Sequence, residues 1–315
     1  MVRDDITAYC QERGFKVGKI VNNRRSTLYY ITKDGESFVL KRPLTSETES
    51  AESKFMNEIG CLKTIATMNN DDVHLPRIVD INEKDQFYVS EYIEGTALNL
   101  LLKKPDSKAH ALTDIYDKLF RWLHRFYSHY GVNNDFPNTN LSASSGPYYR
   151  KADEILRERQ LKSVLDGLFK KYLLPVSMVH GDLVPWNILI DRDDRIYIFD
   201  WGNSGIDYPA LDLARYLLQS IRMIYPRNRG KDIIGLFWKS FSSFFGHSRE
   251  ALKISLLYQY KYSMKILDKK AEGIQPVKTS RKFLIKIHMY LTYRYIISQI
   301  NKGDSSFVCA TIREK

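Results

Sequence analysis

The sequence predicts an α+β fold in two lobes: a small β-rich lobe holding one helix, then a larger lobe that is mainly helical. Three observations carry the prediction. Residues 15–41 and 77–93 fall into short β-rich runs separated by turn signals. Residues 46–68 change to helical spacing. After Gly95 helical periodicity dominates, and two short strands inside residues 187–200 interrupt it. The expected division is 1–94 for the small lobe, with a connector at its end, and 95–315 for the large one.

In the small lobe, LYYIT and SFVLK flank Lys33-Asp34-Gly35-Glu36. Asp-Gly supplies the positive φ angles of a type I′ turn, so this segment predicts a hairpin. In SETESAESKFMNEIGCLKTIATM, Phe55, Ile59, Leu62, Ile65 and Ala66 recur on one helical face, with Ser46 or Thr48 as candidate N-cap. RIVDINEKDQFYVSEYI reads as two strands around a polar turn, closed by Glu94-Gly95. In the large lobe, TDIYDKLFRWLHRFYSHY is an amphipathic helix, NNDFPNTNLSASSGPYY is a loop rich in turn formers, and ADEILRERQLKSVLDGLFKKYL is another helix. NILID and RIYIFD, joined by Arg192-Asp193-Asp194, are the interrupting strands. Helices resume at Ala210 and run to about Ile300.

A chain of 315 residues is long enough for two lobes with a sizeable core. A hydrophobic fraction of 43% and an aromatic fraction of 13% argue for a folded chain and against disorder. No run approaches the ~18 uninterrupted apolar residues of a membrane-spanning helix. The N-terminus lacks the apolar core of a secretory signal. Cys10, Cys61 and Cys309 lie far apart and form no C-x-x-C, which points to a reduced, cytoplasmic protein without a zinc site or disulfide framework. The net charge of +11 is unevenly placed: residues 201–315 hold 20 Lys/Arg against 8 Asp/Glu, a net +12. This basic third is either a solvated face or the contact for an anionic partner, whether a phosphorylated substrate, a membrane surface or a nucleic acid.

The stretch VHGDLVPWNILIDRDDRIYIFDWG, residues 179–202, carries the chemical signal. Phosphoryl transfer needs hard oxygen ligands for Mg²⁺ beside the donor's phosphates and a carboxylate to orient the attacking hydroxyl. Asp182 lies at the start of a loop, Asn187 follows five residues on, and Asp200 ends a strand before a glycine turn. Two short strands between Asn187 and Asp200 can return both to one metal site.

H-G-D-x-x-x-x-N followed by I-F-D-W-G resembles the catalytic core of the aminoglycoside phosphotransferase and choline kinase family, small-molecule relatives of the protein kinases. DYPALDLARYL resembles that family's D-x-x-x-x-D-L-A helix start, RWLHRFY its Leu-His helix motif, and FYVSEYIEGTAL its lobe-connecting hinge. With the Lys41 strand and the helix after it, the resemblance covers about residues 15–220. It implies a protein-kinase-like fold and an enzyme that moves the γ-phosphoryl group of ATP to an alcohol with Mg²⁺. GTP stays open as the nucleotide.

The same resemblance implies roles. Asp182 would be the catalytic base, with Asn187 and Asp200 as metal ligands. Lys41 would hold the nucleotide's phosphates, paired with Glu58 in preference to Glu52. The carbonyl of Glu91 and the N–H of Ile93 would face the nucleotide base, with Ser90 as gatekeeper. His180 would brace the loop, and Asp212 would accept hydrogen bonds from the loop's backbone. The phosphate-covering loop departs from the pattern, because VNNRRSTLYY has no glycine between Gly18 and Gly35. Ser26 is the nucleotide-binding candidate there; Asn22, Asn23 and Thr27 also favour turns, and Arg24 or Arg25 could supply charge in place of backbone N–H groups.

The acceptor is less legible. A net +12 in the last third counts against a polycationic aminoglycoside and against choline. It suits an anionic acceptor, such as a phosphorylated or carboxylated sugar or a surface glycan. Pro185-Trp186 also resembles the motif's form in family members linked to bacterial surface-polysaccharide assembly. Tyr258, Tyr260, Tyr262, Tyr290, Tyr293 and Tyr295 either stack on sugar rings or fill the core. The leading expectation is a cytoplasmic kinase of a small molecule or glycan, able to meet an anionic inner membrane face through its basic third. One alternative is an aminoglycoside- or choline-type kinase. Another is a kinase-like regulatory protein that binds nucleotide with weak activity, supported by the glycine-free loop. Nucleic acid is disfavoured because no recognised module accompanies the charge. Asp200 and Asp212 are twelve residues apart, too close for a protein kinase's activation segment.

Overall fold

The computed structural model describes residues 3–23, 26–44, 51–68, 72–104, 109–131, 176–224, 233–238, 241, 249–273 and 279–311. The loop expected at 133–149, the helix expected at 152–173, and Ser46, Thr48, Arg24 and Arg25 lie outside them. The chain divides into two compact units, 1–96 with 188–204, and 97–187 with 205–315.

The first unit opens with α1 (Arg3–Glu12). Its antiparallel sheet runs β1 (Lys16–Asn22), β2 (Ser26–Lys33), β3 (Glu36–Pro43), β6 (Phe87–Glu91), β5 (Ile78–Asn82). The Asp-Gly turn forms as expected: Lys33 pairs with Glu36, and Asp34 and Gly35 take φ of 51° and 81°. Phe38 and Leu40 of β3 join a core of Ile6, Cys10, Tyr29, Ile31, Phe87 and Val89. The period of two therefore sends Lys41 to the other face of the sheet. There α2 (Ala51–Ile65) buries Phe55, Ile59, Leu62 and Ile65, the stripe that the sequence predicts. The helix ends one residue before Ala66, which is exposed in a 3-10 turn. Helix α1 is not foreseen, because among its described side chains only Ile6 and Cys10 are buried, too short a stripe to read as periodic.

A second sheet orders β4 (Val73–His74), β10 (Ile196–Ile198), β9 (Ile188–Asp191) and β7 (Gly95–Ala97). Asp191 ties the β9–β10 turn by accepting from Asp193 N–H at 2.8 Å, Arg195 N–H at 3.0 Å and Arg195 Nε at 2.8 Å. Gly95 is needed because a Cβ there would lie 2.5 Å from the Ile190 carbonyl oxygen. This pairing explains why residues 188–204 group with the first unit, whereas the sequence division leaves them in the large lobe. Strand pairing overrides position along the chain.

The second unit contains α3 (Leu98–Lys103), α4 (Ala109–His129), β8 (Ser177–Val179) antiparallel to β11 (Gly205–Asp207), α5 (Pro209–Ile224), α6 (Arg249–Gly273) and α7 (Thr279–Thr311). Phe120 of α4 is the centre of an aromatic core, 6.1 Å from Tyr216 of α5 and 5.2 Å from Phe237 by ring centroid. Tyr258 and Tyr262 are buried here, which favours packing over sugar stacking for these two. Tyr260 stacks on Tyr293 at 4.9 Å, and Tyr290 is exposed. Among the described residues no helix is long and apolar enough to cross a membrane.

Candidate active site

In the first unit, three sequence-predicted residues meet. Lys41 Nζ donates to Glu58 Oε1 and to Asp200 Oδ1, each at 2.7 Å. Strand β3 directs Lys41 toward α2, and Glu58 shares the buried stripe of Phe55 and Leu62. The glutamate is only 2% exposed, whereas the Asp200 side chain is 41% exposed. Tyr88, the cross-strand partner of Lys41, donates its hydroxyl to Glu58 Oε1 at 3.0 Å. Burial opposes the Lys41 charge, but Glu58, Tyr88 and Asp200 outweigh it and hold the ammonium pKa well above the lysine range. Burial pushes the Glu58 carboxyl up, with Lys41 acting against the rise and Asp200 adding to it.

Asp200 follows β10 in a left-handed conformation, φ 64° and ψ 56°, at the head of the 3-10 turn Trp201–Asn203. For an L-residue this backbone costs about 1–2 kcal/mol. The turn is tied down from two sides. Asn57 of α2 donates to the carbonyls of Gly202 at 2.9 Å and Ser204 at 3.1 Å. Trp201 Nε1 donates to the Ile198 carbonyl at 3.1 Å.

Glu58, Tyr88, Ser90, Asp200 and Trp201 also line one small cavity. Ser90 is buried near the end of β6, and Glu91 is its last residue. The Glu91 N–H is taken by the Arg77 carbonyl at 3.0 Å, and Ile93 follows outside any strand. Ser26 is buried at the start of β2, with its carbonyl accepting from Asn23 N–H at 2.8 Å. Thr27 donates its hydroxyl to Asn22 Oδ1 at 3.1 Å, a side-chain tie across the turn between β1 and β2, whose residues 22–27 include no glycine.

In the second unit, the H-G-D loop follows β8. Asp212, fully buried in the first turn of α5, accepts from His180 N–H at 2.6 Å and Gly181 N–H at 3.1 Å. Tyr127 donates its hydroxyl to the same carboxylate at 3.3 Å, and burial, then Asp212, raises the Tyr127 pKa well above the tyrosine range. Gly181 takes φ of 77°, where a side chain would be strained. Asp182 N–H donates to His180 Nδ1 at 3.2 Å. Asn187 Nδ2 donates to the Asp182 carbonyl at 3.0 Å, which turns its Oδ1 away from that carbonyl.

Sequence reasoning missed four residues. Arg215 ion-pairs with the Asp182 carboxylate, its Nε reaching Oδ1 at 2.7 Å. Tyr88, Asn57 and Tyr127 support Glu58, the Asp200 turn and Asp212. Arg215 sits three residues after Asp212, close enough in DLAR to have drawn attention; the other three carry no local signal.

Residues 18–251 match the phosphotransferase enzyme family, APH. LicA of Haemophilus influenzae is 24% identical over 139 residues, 42% of this chain, and the chain spans about half the length of that relative (50%). The choline kinase LicA from Streptococcus pneumoniae has a TM-score of 0.60 at 13% identity, covering 95% of this chain and 99% of its own. The amicoumacin kinase hAmiN, solved in complex with AMP-PNP, Ca²⁺ and Ami, gives 0.63 at 13% identity over 93% and 94%. A microcompartment-associated aminopropanol kinase gives 0.56 at 12% identity over 94% and 98%. At these identities the likeness shows the fold, a β-sheet lobe and a helical lobe of the protein-kinase-like kind. The family match runs from β1 into α6, through every residue named in the two clusters, and the chain belongs to the phosphotransferase enzyme family.

Proposed function

We propose that this protein transfers the γ-phosphoryl group of ATP to a hydroxyl of a sugar or surface-glycan component that itself bears negative charge. The observation that carries the transfer chemistry is Lys41 held at 2.7 Å by both Glu58 and Asp200. A lysine fixed in this way holds phosphate oxygens at low entropic cost when a nucleotide arrives. Ser26 lies at the strand start beside the phosphate-covering hairpin, and the main chain of Glu91 and Ile93 receives the base. GTP is the competing nucleotide to test.

Asp200 and Asn187 are assigned to Mg²⁺. Their donors fit the ion: an exposed carboxylate oxygen and an amide oxygen, both hard. Phosphate oxygens of the nucleotide and water would supply further hard ligands. When bound, the ion neutralises charge on the donor's phosphates. Asp182 orients the acceptor hydroxyl and accepts its proton. Arg215 engages Oδ1 of that carboxylate. His180 and Asp212 hold the loop's backbone in place around it.

The net +12 of residues 201–315 supports an anionic acceptor and suits contact with an anionic membrane face from the cytoplasm. A choline-type acceptor is the second reading, favoured by the likeness to the two LicA proteins. Phosphorus NMR with Mg-ATP or Mg-GTP separates them, using neutral sugars, sugar phosphates, acidic glycans, choline and an aminoglycoside as acceptors. A new phosphomonoester on an anionic sugar is expected, and Asp182→Ala should slow its formation about 10²–10⁴-fold. Full transfer by the variant would remove Asp182 from the mechanism, and phosphocholine as the main product would overturn the anionic acceptor.

A further inference from the structure

Arg215, Gln219 and Arg222 stand at i, i+4 and i+7 on α5. At 1.5 Å per residue the two arginines are about 10 Å apart along one face, offset by only about 20°. Arg215 fixes which way that face points, because its guanidinium lies on Asp182 and over the Tyr262 ring at 5.9 Å. Arg222 is partly buried and has no acidic partner among the described residues. Burial, then the Arg215 charge, lowers its pKa, the reverse of what a carboxylate neighbour would do. Between them Gln219 is 6% exposed, and its Oε1 finds no donor among the described residues. Among the described residues the guanidinium therefore has no counter-charge and the buried amide oxygen no donor, and each is costly unless a ligand completes it.

We propose that Arg222, with Gln219 beside it, is the acceptor-binding edge of the second unit, holding a phosphate or carboxylate of the acceptor while Gln219 accepts from one of its hydroxyls. The proposal rests on the phosphotransferase reading and deepens it. The guanidinium fork matches either anion in two parallel hydrogen bonds, which a lysine cannot do. A cationic acceptor would meet two arginines on this face.

The test is calorimetric binding to the full chain saturated with Mg–AMP-PNP, which occupies the nucleotide's phosphate site. The probes are glucose, glucose 6-phosphate, glucuronate and choline at constant ionic strength. Wild type should bind one of the two anionic sugars about tenfold or more tighter than glucose, and the tighter one identifies phosphate or carboxylate. Arg222→Gln should abolish that preference with an unchanged melting temperature. Arg222→Lys keeps the charge and should retain only part of it, which decides the matter if the glutamine variant does not fold. Equal binding of glucose and both anions by wild type, tighter binding of choline, or an intact preference in both variants would overturn the proposal. Transfer activity plays no part in this measurement. Absent phosphoryl transfer with retained anion preference would therefore sink the kinase reading alone.

Discussion

Replacing Asp212 with Asn tests the architecture of the H-G-D loop. The carboxylate is fully buried and accepts hydrogen bonds from His180 N–H, Gly181 N–H and the Tyr127 hydroxyl among its partners. Asparagine has nearly the same shape and one acceptor oxygen. Its least costly orientation keeps that oxygen on His180 and Tyr127, and the amide NH₂ then faces the Gly181 N–H. One buried donor is left unsatisfied at about 1–3 kcal/mol, and two bonds fall from charge-assisted to neutral strength at about 1 kcal/mol each. Relief of carboxylate desolvation offsets part of this, leaving an expected loss of about 2–4 kcal/mol. That is a large share of the ~5–15 kcal/mol by which proteins are stable. Urea unfolding followed by far-UV circular dichroism should show a lower midpoint with the same slope. Phosphoryl transfer should fall in kcat with KM for Mg-ATP little changed, since Lys41 and Glu58 lie in the other unit. An Asn variant within about 0.5 kcal/mol of wild type, the range of a neutral surface change, would refute this account of the Asp212 hydrogen bonds.

Two further outcomes follow from the second sheet. Gly95→Ala would place a methyl 2.5 Å from the Ile190 carbonyl oxygen, a backbone atom that cannot swing aside. The expected cost is about 1–3 kcal/mol, read as a lower thermal midpoint, whereas Gly60→Ala, which meets nothing within 4 Å, should be tolerated. Burial acts to raise the Asp191 pKa, but hydrogen bonds from the Arg195 and Asp193 backbone and the Arg195 side chain win and lower it. A lowered carboxylate pKa stabilises the fold above its unfolded value, and that contribution is lost as pH falls through the folded one. Asp191→Asn should therefore be less stable than wild type at neutral pH and lose less on acidification, measured by urea midpoints between pH 7 and pH 3.

Much of the fold was legible because it is written locally. Asp34-Gly35 dictates its turn, and Phe55, Ile59, Leu62 and Ile65 dictate the buried face of α2. The choice of Glu58 over Glu52 was also local, since Glu58 lies one turn from Phe55 and Leu62 on the buried stripe. The short α1 was illegible for the converse reason: two buried residues make no period, and its place depends on the sheet it covers.

By itself the sequence determined the alternation that turns Lys41 away from the Phe38–Leu40 core, the helix that carries Glu58, and the loop that spaces Asp182 from Asn187. Those features follow from backbone periods and turn chemistry within a few residues. Tertiary structure alone decided that Asp200, 159 residues from Lys41, shares its ammonium, and that Arg215 engages Asp182 from 33 residues away. It also decided that residues 188–204 join the first unit. Such contacts depend on strand register and side-chain packing across long separations, where no local preference of the chain encodes the partner.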